Sequence, residues 1–99
     1  MRRRLTIKTQ SRVDLLEIWH WIAKDSIRSA NKVSKTIAKE IRSLISKPSK
    51  GRIREEIDDL AYFWRIDSYY IVYEFDDQEL TVLRVIHAAR NIDRLLLDR

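Results

Sequence analysis

His87 stands three residues from Arg84 and three from Arg90 in the run Leu83-Arg84-Val85-Ile86-His87-Ala88-Ala89-Arg90, close to the end of a 99-residue chain. An imidazole can take or give a proton near neutral pH, and guanidiniums hold a phosphate through paired N–H donors. With Arg52 or Arg54 as further cations and Glu56 as an alternative base, these types suffice for metal-free ribonucleolytic cleavage. One group takes the 2′-hydroxyl proton, cations hold the phosphate, and an acid protonates the leaving oxygen. His20 is the only other histidine and no spaced carboxylates accompany the two, so neither a metal nor another cofactor is expected. The same residues also have plain structural uses. A histidine at a strand end can bond a neighbouring carbonyl, and Arg84 and Arg90 can pair with Glu74, Glu56 or Asp93. For Arg84, in mid-strand, pairing is the stronger reading.

These side chains need elements to carry them. Leu5, Ile7 and Thr9 alternate with Thr6 and Lys8, which predicts a short first strand. Ser11 three residues before Asp14 reads as a capping box at the start of a helix. Leu15, Ile18, Trp19, Ile22 and Ala23 then form one apolar stripe, so Trp19 and Trp21 cannot share a core and one of them is half exposed. After a turn at Asp25-Ser26, the apolar positions Ala30, Val33, Ile37, Ala38, Ile41, Leu44 and Ile45 define a second helix that stops before Pro48, completing a helical hairpin. Lys32, Lys35, Lys39 and Arg42 fall on its far side as a basic ridge, suited to steering an acidic partner or to keeping the helix soluble.

From Gly51 the period shifts toward two. Strands are expected over residues 53–57, 60–66, 69–75 and 80–86, with a turn at Asp67-Ser68. Spacing this tight leaves no room for crossover helices, so neighbouring strands should be antiparallel. Trp64 either faces outward as an anchor for a partner or, as a strand tryptophan more commonly does, is buried as core. Asn91 can cap a short terminal helix in which Leu95, Leu96 and Leu97 wrap the domain or present a contact surface. The architecture is α+β, with an N-terminal strand and helical hairpin on a twisted antiparallel sheet, in one domain spanning residues 1–99.

Composition narrows the classes. One Gly, one Pro and no Cys leave no linker, no disulfide framework and no thiolate chemistry, which suits the cytosol. No apolar run is long enough to span a bilayer, so no membrane association is expected. The net charge of +5 is uneven: residues 1–50 hold thirteen Lys/Arg against four Asp/Glu, and residues 51–99 hold seven against eleven. Such polarity suits an acidic protein or a nucleic acid, or simply a solvated basic face. No recognition-helix or single-strand-binding motif accompanies the charge.

Over nearly its whole length the sequence resembles the ParE branch of the ParE/RelE toxin superfamily. The matching pieces are Asp14-Leu15, Ile18-Trp19, Ile22-Ala23, Ala30, Ile37, Ile41, Leu44, Pro48, Gly51-Arg52, Glu56, Tyr70-Ile71-Val72-Tyr73 and the run from Leu83 to Arg90, followed by Ile92 and Leu95-Leu96. The resemblance implies a type II toxin-antitoxin module in which a cognate antitoxin wraps and neutralises the toxin as a hetero-oligomer. It implies DNA gyrase as the target, inhibited by contact without turnover, and DNA met only through gyrase or the antitoxin. On this footing Trp19, Lys32, Lys35, Lys39, Arg42, Leu95 and Leu96 are candidates for the antitoxin, and Arg52, Glu56, Trp64, Arg84, His87 and Arg90 for the target. The alternative is a ribosome-dependent mRNA endoribonuclease, as in RelE-like members, with His87, Arg84, Arg90, Arg52 and Glu56 catalytic. Those members carry a C-terminal tyrosine where this tail reads Arg94-Leu95-Leu96-Leu97-Asp98-Arg99. Two loop glycines of the family are also replaced, one in Ile57-Asp58-Asp59-Leu60 and one near Asp67-Ser68.

Overall fold

The computed structural model describes residues 2–55 and 58–89, the side chains of 58 and 59 excepted. Strand β1, Arg4–Ile7, leads through Lys8 into helix α1, Thr9–Ala23. Helix α2, Ile27–Ser46, begins at Ser26, whose hydroxyl accepts the Ser29 N–H at 3.1 Å and so satisfies one exposed amide of the first turn. It ends at Ser46, with Lys47 as its C-cap just before a 3-10 turn at Pro48–Lys50, because proline cannot continue the helical hydrogen bonding. Three strands return as a meander before the chain passes Ala89: β2, Arg52–Arg54, then β3, Asp58–Ile66, and β4, Tyr69–Phe75, and a fourth, β5, Glu79–His87, completes the series. The expected strand over residues 53–57 is thus the shorter β2, with Glu56 and Ile57 outside the described residues. The terminal helix capped by Asn91 also lies outside them.

The sheet order is β1-β5-β4-β3-β2. Strands joined by short turns pair antiparallel, as their spacing requires. β1 departs from that rule and runs parallel to β5, from Arg4 opposite Glu79 to Ile7 opposite Val82. The rest of the chain separates these two strands, so no tight turn dictates their relative direction. The sheet is therefore mixed.

Both helices lie on one face of it. Ile37, Ile41 and Leu44 of α2 meet Ile71, Tyr73, Leu80, Val82 and Val85 in the main core. The opposite face is not polar: Ala61, Phe63, Val72 and Ile86 are buried there, beside Tyr70 and Leu83. Trp21 is the exposed tryptophan of the α1 pair, at 56%, and Trp19 is half buried.

The capping-box reading of Ser11 and Asp14 is overturned. The helix begins two residues earlier, and both side chains are buried inside it. The Ser11 hydroxyl donates to the Val82 carbonyl at 3.0 Å, the same carbonyl that receives the Lys8 N–H. What looked like a signal for a helix start is the polar seam that fastens α1 to β5.

A second polar fastener holds the far edge. The Tyr73 hydroxyl, wholly buried, donates to the Pro48 carbonyl and accepts the Gly51 N–H at 2.9 Å, which fixes the turn leading into β2. Gly51 is required by space alone, since a Cβ there would sit 2.3 Å from the Tyr73 hydroxyl oxygen. No helix among the described residues is long and apolar enough to cross a membrane.

Candidate functional site

The constellation at the end of β5 is divided by its surroundings. Arg84 reaches α1, where its Nε donates to Asp14 Oδ2 at 2.8 Å and its Nη2 donates to Oδ1 at 3.1 Å. Asp14 also accepts the Val85 N–H at 3.0 Å and the Gln10 amide at 3.2 Å. With 17% of the arginine side chain and 6% of the carboxylate exposed, this is a largely desolvated fork, strong only while every donor keeps its acceptor. Asp14 was not among the partners the sequence suggested for Arg84. The two meet because α1 lies across β5.

His87 packs edge-on against Tyr69, with ring centroids 5.5 Å apart. Its Nδ1 accepts the Ala89 N–H at 3.2 Å, so it bonds an amide rather than the carbonyl expected of a strand-end histidine. The neutral ring then carries its proton on Nε2. His87 shares a cleft of about 220 Å³ with Asp14, Glu17, Trp21 and Tyr69, on the helix side of the sheet.

Arg52 and Arg54 line a different cleft, of about 520 Å³, along the β2 edge. Arg52 stands opposite Phe63, which belongs to the far-side core, and although the pairing register shifts between Ile53 and Arg54, Arg54 reaches Tyr70 beside the same core. Arg65 shares the face of that core. The Arg54 guanidinium donates to the Tyr70 hydroxyl and lies 5.5 Å from the centre of the Tyr70 ring. Arg65 lies 5.7 Å from the same ring, and its Nε donates to the Asp67 carbonyl at 2.9 Å. At the mouth, Lys50 Nζ sits 4.6 Å over the Trp64 ring and donates to Ser43. Trp64 is half buried, and its indole N–H donates to Glu40 at 3.0 Å. It is tied to α2 rather than held out to a partner.

Lys32, Lys35, Lys39 and Arg42 are all exposed along α2, forming the ridge that their spacing predicted. Arg42 borders an apolar groove of about 290 Å³ whose walls include Leu5, Ile7, Leu15, Ile37 and Ile41. Trp19 donates its indole N–H to Asn31 at 2.9 Å and so clamps α1 to α2.

The structure therefore brings Arg52 and Trp64 to one cleft and His87 to another, and buries Arg84 against Asp14. Glu56, Arg90, Leu95 and Leu96 lie outside the described residues. Lys50, Arg65 and Tyr70 were not singled out from the sequence. Strand alternation offered a usable signal: once Arg65 and Tyr70 flank the Asp67-Ser68 turn, they must face each other across it.

Comparison with known proteins gives two findings. Residues 5–92 match the family described as ParE toxin of type II toxin-antitoxin system, parDE. Among solved structures, a chain of the chromosomal ParDE TA system from P. aeruginosa superposes with a TM-score of 0.74 at 16% sequence identity, covering 87% of this chain and 96% of that one. At that identity the likeness speaks for the fold. No curated protein matches the sequence.

Proposed function

Because this chain belongs to the family of ParE toxins of type II toxin-antitoxin systems, we propose that it inhibits DNA gyrase by direct contact, without turnover of its own, and that a cognate antitoxin neutralises it. Contact rather than catalysis is supported by one observation: among the described residues, the proton-transfer and phosphate-holding candidates are dispersed. His87 faces α1 at β5, while Arg52 and Arg54 line a cleft along the β2 edge. Three strand spacings, roughly 14 Å, separate β5 from β2, too far for a base and a cation to serve one phosphodiester without rearrangement. Arg84 is a positioning residue, because its guanidinium is committed to Asp14.

The antitoxin is assigned to the α2 side. An amphipathic acidic segment fits there, with apolar side chains entering the groove between Leu5, Leu15 and Ile41 and carboxylates meeting Lys35, Lys39 and Arg42. Such a complex is a hetero-oligomer.

A paired assay tests the reading. Purified toxin is incubated with gyrase and supercoiled DNA in one tube, and with translating ribosomes and mRNA in another. Cleaved DNA that accumulates and disappears on adding antitoxin is the expected result. Cut mRNA beside untouched gyrase would instead give His87 and the arginines catalytic roles.

A further inference from the structure

The β2-edge cleft has its own chemistry. Among its lining side chains are four cations, Lys50, Arg52, Arg54 and Arg65, which come from an edge turn and two strands. Two of the guanidiniums are held in advance. Arg54 is fixed by the Tyr70 hydroxyl and ring, and Arg65 by the same ring and the Asp67 carbonyl. Holding a planar donor fork in place reduces the entropy lost when it binds an oxyanion, which is why arginine suits phosphate better than lysine does. Arg52, exposed beside them, extends the row.

We infer that this cleft binds the phosphodiester backbone of duplex DNA. The alternatives fit less well. An unpaired strand needs open aromatic faces on which its bases can stack, and here guanidiniums already lie over Tyr70 and an ammonium over Trp64. A protein partner is better served by an apolar centre, and here the Tyr70 and Trp64 rings are capped by charge and Phe63 is buried, which leaves Ile53 as the exposed apolar side chain of the lining. Backbone phosphates need only a row of fixed cations and no base contact. The consequence for the target rests on the gyrase reading: the toxin grips the DNA that gyrase holds, so the cleft lies at a protein–DNA junction.

The test measures fluorescence anisotropy of a short labelled DNA duplex with the full-length toxin over a salt series. Three arginine contacts predict that log K falls against log salt with a slope of roughly −2.7. Arg52→Gln/Arg54→Gln/Arg65→Gln is expected to weaken binding by about tenfold or more at low salt, whereas Arg12→Gln/Arg28→Gln/Lys47→Gln, with the same charge change at exposed positions elsewhere, stays within about twofold. Thermal melting checks folding, and if the cleft triple melts early, the exposed single change Arg52→Gln is read instead, with a slope smaller by about one. Absence of binding, equal loss in both triples, or tighter binding of single-stranded RNA or poly-glutamate of equal charge would overturn the assignment. A toxin that binds duplex through the cleft but leaves gyrase unaffected would refute the gyrase reading and keep the cleft.

Discussion

Tyr73 and Asp14 do the same work at neighbouring strands, β4 and β5: each is a buried polar group that satisfies several partners and so fixes one segment against another. Tyr73→Phe leaves the Pro48 carbonyl and the Gly51 N–H without their partner and is expected to cost about 1–3 kcal/mol in urea unfolding. Gly51→Ala drives a methyl into the phenol and should cost a similar amount, about 1–3 kcal/mol. Burial pushes the Tyr73 phenol up from 10.0 to about 12, a rise that the Gly51 N–H partly offsets. The folded state thus holds this proton more tightly than the unfolded chain does. The stability it contributes is intact below about pH 10 and is lost as pH rises toward about 12, so the gap between wild type and Tyr73→Phe should narrow across that window. On β5, Asp14→Ala strands the Arg84 guanidinium and the Val85 amide, and a loss of about 3–5 kcal/mol is expected. Arg84→Ala should accordingly lower the melting temperature while leaving duplex-DNA binding unchanged. A drop in DNA binding without a drop in stability would contradict its role as a positioning residue.

At the scale of elements, the sequence revealed what has a period and concealed what depends on register. Helix α2 announced itself through its stripe and through Pro48, and the meander through alternating aromatic and β-branched residues. The direction of β1 was not readable, because no local turn ties it to β5. Ser11 and Asp14 misled because a hydroxyl three residues from a carboxylate serves equally well as a cap or as a buried seam, and only the packing of α1 on β5 decides. The candidate site was half legible. Arg52, Arg54 and His87 were named by type, but their separation into two clefts follows from strand pairing. The turn between β3 and β4 gives a further test. Asp67 holds a φ of 51°, a left-handed conformation that costs an L-residue about 1–2 kcal/mol and a glycine almost nothing. Asp67→Gly should therefore stabilise the hairpin by roughly 0.5–1 kcal/mol in thermal unfolding, keeping the Arg65 bond because the acceptor is the backbone carbonyl. A destabilised variant would mean that the Asp67 side chain itself matters.

For the whole molecule, the two edges of one sheet carry different surfaces. The groove between β1 and α2 lies beside a basic ridge, and the β2 edge offers fixed arginines; four strand spacings, roughly 19 Å, separate β1 from β2, although α2 reaches toward the second surface through Glu40 and Trp64. Charge counted by halves of the chain placed the basic surface on α2. It missed the cleft because Arg52, Arg54 and Arg65 come from the acidic half and are brought together by the meander. If the antitoxin takes the α2 groove and the gyrase–DNA complex the β2 edge, hydrogen–deuterium exchange of the toxin in each complex distinguishes the two surfaces. Slowed exchange is expected over residues 32–42 with antitoxin, and over residues 50–54 and 63–70 with gyrase and DNA. Protection of α2 alone in both complexes, with the β2 edge unchanged, would contradict it.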